Sequence, residues 1–126
     1  MSWNSVFKFE SLISRWFGSS YGIAVDSCTH GVELCLRYIG IDEIEVPKRT
    51  YLSIPFLSNK LNVPLKWKDE DWRDYYEIGN SGVYDAAVLW RENSYIPNTM
   101  MCLSFQFQKH LSLGRGGMIL LDNKKA

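Results

Sequence analysis

Three stretches of this sequence carry side chains able to do chemistry at spacings that could place them together. Ser27-Cys28-Thr29-His30-Gly31 follows a short apolar run and precedes residues with helical spacing. A helix start of that kind presents backbone N–H groups and the positive end of the helix dipole to an anion such as phosphate, with the Ser27 or Thr29 hydroxyl as an extra donor. The same hydroxyls also serve as ordinary helix caps. Asp85 stands at the end of a strand-like Val83-Tyr84-Asp85, where it can either cap the next helix or meet a cationic ligand atom. Ser104 ends another apolar strand, and Lys109 follows five residues later. A lone lysine is ordinarily a solvated surface charge; in a crowded, partly desolvated site it becomes an amine nucleophile toward a carbonyl. Neither G-x-x-x-x-G-K-[ST] nor G-x-G-x-x-G occurs, so nucleotide binding has no motif support.

These groups need elements to position them. Phe9, Leu12, Ile13 and Trp16 recur at i, i+3, i+4, i+7, which predicts an amphipathic helix stopped at Gly18. Tyr21–Val25 reads as a buried strand, and Val32, Cys35, Leu36 and Ile39 as a second helix closed by Gly40. Glu43–Val46 reads as a strand stopped by Pro47, and Ile54, Leu57 and Leu61 as a weaker helical stripe. Val63–Lys66 fits an edge strand, and the stretch from Trp67 to Gly82 is the least regular, a solvated loop with anchoring tryptophans. Ala86–Trp90 could start a helix; Met101–Phe105 and Met118–Leu121 read as strands. Strands alternating with helical patterns predict an α/β domain: three layers, α/β/α, around a mostly parallel sheet. Ligands in such sheets bind at the carboxyl ends of strands. Ser27, Asp85 and Ser104 all fall there.

Together the motifs resemble one family. Ser104-Phe105-Gln106-Phe107-Gln108-Lys109, with Gly114-Arg115-Gly116-Gly117 after it, is similar to the lysine motif of the DegT/DnrJ/EryC1/StrS aminotransferases, pyridoxal-phosphate-dependent enzymes of fold type I that act on sugars. Ser27-Cys28-Thr29-His30-Gly31 resembles that family's Ser-Gly-Thr-Ala-Ala phosphate turn. Val46-Pro47-Lys48-Arg49-Thr50-Tyr51 resembles its Val-Pro-x-x-Thr-Phe, and Val83–Ala87 its Glu-Asp-x-Ala strand end. The four occur in the family's order, and the similarity runs from Phe9 to Asn123.

The resemblance implies pyridoxal phosphate as cofactor. Lys109 would hold it through its amine and then carry the proton as general acid/base. Asp85 would pair with the pyridine nitrogen, Tyr51 would stack on the ring, and Thr29, Ser104 and the amides of Cys28 and Thr29 would hold the phosphate. It further implies a keto sugar nucleotide as substrate, an amino-acid donor such as glutamate, and a homodimer. Residues 1–126 then form a single, partial large domain, a shortened version of the family's. The family's dehydratase branch carries His at the lysine position, so Lys109 argues for the aminotransferase branch. Cys28 replaces the turn glycine, His30 replaces an alanine, and Val88 stands where many members have Gln or His. The span from Trp67 to Val83 is shorter than the family's, and the chain stops just past the lysine motif. A truncated, catalytically inactive cofactor-binding subunit is therefore the alternative, with a plain α/β interaction domain behind it.

Composition sets the bounds. The 126 residues are 46% apolar, 14% aromatic and 22% charged, an ordinary globular balance sufficient for one core. Fourteen Lys+Arg offset fourteen Asp+Glu, which removes the electrostatic case for nucleic acid or an anionic membrane surface. No apolar run approaches the ~20 residues that span a bilayer, and the amino end carries no secretion signal. A cytoplasmic protein is expected. Cys28, Cys35 and Cys102 form no C-x-x-C pair, so they read as small buried hydrophobes and no metal site is expected.

Overall fold

The computed structural model describes residues 3–105 and 116–123. Helix α1 (Trp3–Phe17) is the element predicted from the first apolar stripe. It buries Ile13 and Phe17 while Leu12 stays exposed. Strand β1 (Tyr21–Val25) leads into helix α2 (Cys28–Ile39). Extended Ser27 caps α2, its Oγ accepting from the His30 N–H at 3.1 Å. Gly40, at φ +70°, closes it in the left-handed conformation that glycine adopts without Cβ strain.

Strand β2 (Ile44–Pro47), short helix α3 (Leu57–Leu61) and strand β3 (Leu65–Lys68) come next, then β4 (Tyr76–Glu77), β5 (Val83–Asp85), β6 (Met100–Ser104) and β7 (Gly117–Leu121). The main sheet has the order β1-β7-β6-β5-β4, and β2 pairs with β3 in a separate two-stranded sheet. Within the main sheet only β5 and β6 run parallel; β1–β7, β7–β6 and β5–β4 are antiparallel. The expected mostly parallel sheet is therefore corrected to a mixed one. Periodicity identifies which residues form strands, but the direction of a pairing between strands as distant as β1 and β7 has no local signature.

The three layers are as expected. Along β6 and β7, Met101, Leu103, Met118 and Leu120 pack against Ile13 and Phe17 of α1. The alternate residues Cys102, Ile119 and Leu121 pack on the other face with Val32, Cys35 and Leu36 of α2. This period of two is what a sheet covered on both faces requires. Each fully buried Leu or Ile contributes about 1.5–3 kcal/mol.

Glu33, a buried carboxylate on α2, ties α3 to α2: Oε2 accepts from Arg37 Nε and Oε1 from Lys60 Nζ, both at 2.9 Å. The hydrogen bond from Lys60, helped by that from Arg37, holds its carboxyl below the usual glutamate range.

The expected helix over Ala86–Trp90 is replaced by a single turn. Asp85 Oδ1 accepts the Ala87 N–H at 3.0 Å, and the Leu89 N–H bonds Ala86 O at 3.0 Å. The chain then folds onto the end of α1, where Trp90 stacks on Trp16 with ring centroids 4.4 Å apart. The Tyr95 N–H reaches Phe17 O at 3.0 Å. The stack of these two partly buried tryptophans outweighs the weak local helical pattern.

Candidate functional site

The carboxyl ends of β5 and β6 and the amino end of α2 converge on one cleft of about 230 Å³. Cys28, Thr29, Tyr51, Asp85 and Ser104, five of the six residues singled out in the sequence, line it with Ser27, Ser53, Ile54 and Ala87. The sixth, Lys109, lies outside the described residues.

α2 supplies the electropositive wall. An α-helix directs its first N–H groups outward without intrahelical acceptors, so the amides at Cys28 and Thr29 carry the positive end of the dipole. Thr29 Oγ1 lies 2.8 Å from Ser53 Oγ, which links this wall to the segment after Tyr51. Ser104, buried at the end of β6, stands opposite Gly117 of β7.

Asp85 supplies the opposing charge. It is 4% exposed, yet its carboxylate lines the cleft. Oδ1 accepts from the Ala87 N–H, and Oδ2 accepts from the Tyr76 hydroxyl at 3.1 Å. Cys28 Sγ lies 3.8 Å from Oδ1 and 3.4 Å from Cys102 O. Asp85 thus fixes the turn after β5, where the expected helix to be capped is absent, and lies among the residues lining the cleft.

Tyr76 is a site residue that the sequence does not single out, because the span 67–82 reads there as a loop. Burial, reinforced by the Asp85 charge, pushes its phenol far up, so it remains a proton donor. Its hydroxyl also contacts Thr50 Oγ1. No local pattern announces this contact, because it depends on β4 pairing Tyr76 directly against Asp85.

Tyr51, about half exposed, borders both this cleft and a larger opening of about 740 Å³. The larger one is lined by Arg49, Thr50, Asp71, Trp72, Arg73, Asp74 and Val88. His30 is exposed and bonds Asp26 Oδ1 at 2.7 Å, so it acts on the helix surface and does not line the cleft. That hydrogen bond holds the Asp26 carboxyl below its usual range. The three cysteines are buried, as read. The Cys102 thiol is pushed well up by its contact with Cys35 and by burial, which keeps it protonated. Among the described residues, no helix is long and apolar enough to cross a membrane.

A model of the DegT/DnrJ/EryC1/StrS aminotransferase family matches residues 2–55. This chain resembles those aminotransferases over part of their length. Three solved structures share the fold. The 3-amino-5-hydroxybenzoic acid synthase is 17% identical with a TM-score of 0.76, over 97% of this chain and 44% of that one. A DegT/DnrJ/EryC1/StrS aminotransferase from Brucella abortus is 16% identical with a TM-score of 0.75, over 94% and 46%. The GDP-4-keto-6-deoxymannose-3-dehydratase, solved with a trapped PLP–glutamate geminal diamine, is 16% identical with a TM-score of 0.72, over 94% and 44%. The chain thus spans less than half the length of each. No curated protein matches it. The fold is similar to that of these aminotransferase structures, with the mixed sheet described above.

Proposed function

We propose that residues 1–126 form a single, partial large domain holding pyridoxal phosphate, and that the domain serves transamination of a keto sugar nucleotide by an amino-acid donor such as glutamate. The observation that carries this reading is the convergence of a buried carboxylate, Asp85, and the start of α2 on one cleft. The donor set fits the cofactor, which has a basic ring nitrogen at one end and a phosphate at the other.

Asp85 accepts from the ring nitrogen and keeps it protonated by opposite charge. Thr29, Ser104 and the amides of Cys28 and Thr29 bind the phosphate at the positive helix end. Tyr51 covers the ring face. When bound, the cofactor supplies an electron sink for carbanion chemistry next to the donor's α-carbon. Lys109 would hold the cofactor through its amine and would carry the proton as general acid/base. The zero net charge agrees with anion binding concentrated at one helix end.

The matched family and the dehydratase solved with a PLP–glutamate adduct support the cofactor and donor classes. A related dehydratase variant with bound GDP-perosamine supports the substrate class. Exposed Tyr51, Leu52 and Phe56, on the segment that also carries the cleft residues Ser53 and Ile54, support a homodimer.

The test is a half-reaction. Protein loaded with pyridoxal phosphate is mixed with glutamate, and 2-oxoglutarate is quantified. Stoichiometric release supports transamination. Cofactor retention without 2-oxoglutarate identifies the inactive subunit instead.

A further inference from the structure

The short span before β5 brings a buried hydroxyl onto the carboxylate of the cleft. β4 pairs antiparallel with β5 so that Tyr76 stands directly opposite Asp85, and its hydroxyl donates to Asp85 Oδ2 at 3.1 Å. Thr50 Oγ1, on the segment after β2, contacts the same hydroxyl. Proton counting sets the direction. The single Tyr76 proton goes to Asp85 Oδ2, so the Thr50 hydroxyl donates to the Tyr76 oxygen.

The pair is held from behind. Tyr76 is 2% exposed and packs on Trp72 with ring centroids 5.0 Å apart. Trp72 is clasped to Arg49: Arg49 Nη2 donates to Trp72 O at 2.9 Å, Trp72 Nε1 donates to Arg49 O, and the guanidinium lies 5.0 Å over the indole. The segments carrying Thr50 and Tyr76 are therefore fixed relative to each other.

We propose that Tyr76, with Thr50 donating to it, is a positioning residue that keeps Asp85 ionised and aimed into the cleft toward a cationic ring nitrogen. A hydrogen bond donated to the charged form favours that form, and low local dielectric strengthens it. Among the described residues, the other titratable groups facing Asp85 include the thiols of Cys28 on α2 and Cys102 on β6. The ligand's identity rests on the proposed function; the hold on Asp85 does not.

Tyr76→Phe removes the hydroxyl and keeps the ring on Trp72, and Thr50→Val removes only the outer donor. The titration midpoint of the Asp85 carboxyl is read by ¹³C NMR without added cofactor, and the Kd for pyridoxal phosphate by absorbance. In Tyr76→Phe the midpoint rises by about one pH unit and the Kd by about tenfold; Thr50→Val moves both in the same direction by less. An unmoved midpoint in Tyr76→Phe, or in Thr50→Val if the first variant does not fold, overturns the proposal. So does a moved midpoint with undiminished cofactor binding. If the unsubstituted protein binds no pyridoxal phosphate, the proposed function fails and the aim toward its ring nitrogen is overturned with it; a risen midpoint then still establishes the hold on Asp85.

Discussion

The α-carbon of Gly117 lies against the peptide that joins Ser27 to Cys28. A Cβ at Gly117 would stand 2.8 Å from Cys28 N, 2.9 Å from Ser27 C and 2.6 Å from Leu103 O. All three are backbone atoms, so none can swing aside. The last glycine of Gly114-Arg115-Gly116-Gly117 is thus needed for β7 to pass beneath the start of α2. Gly117→Ala is expected to destabilise the fold by about 3 kcal/mol. Urea unfolding of the two proteins checks it.

Ser27 does for α2 what its position suggested, accepting from the His30 N–H. Ser27→Ala leaves that amide to water and should cost about 1 kcal/mol. The expected result is a lower urea midpoint at unchanged slope, since the surface exposed on unfolding stays the same.

Much of this arrangement is legible in the sequence because it is local. The helical stripes place α1 and α2, Ser27 and Gly40 mark the ends of α2, and apolar runs locate β1, β5, β6 and β7. The ordered motifs then nominate Cys28, Thr29, Tyr51, Asp85 and Ser104, which one cleft gathers. The hidden features depend on partners distant in sequence or on competition between local and tertiary terms. Trp72 meets Arg49 across 23 positions, and Tyr76 meets Asp85 only through a two-residue strand. Ala86–Trp90 has a helical pattern, but Asp85 and the Trp16–Trp90 stack claim its ends. Strand direction in the mixed sheet has no signature in periodicity at all. Lys109 is nominated by spacing and resemblance, and its position lies outside the described residues.

Glu33 makes stability depend on pH in a defined sense. Its folded pKa is lowered by Lys60 and Arg37. A lowered carboxylate contributes stability above the unfolded value, and that contribution is lost as pH falls through the folded one. Glu33→Gln should therefore be less stable than the parent by about 1 kcal/mol at neutral pH, the cations being largely exposed. The gap should close below the ordinary glutamate value of 4.5. Urea midpoints of both proteins across the acid range test this. A gap independent of pH would assign the effect to packing.

Cofactor binding is tested most directly by titrating the protein with pyridoxal phosphate and reading the visible absorbance. The expected result is a saturable band that Lys109→Ala abolishes, and a Kd raised about tenfold or more in Asp85→Ala, through loss of a charge-assisted contact. A protein that produces no saturable band, or a band that Lys109→Ala leaves unchanged, would contradict the assignment of this cleft to pyridoxal phosphate.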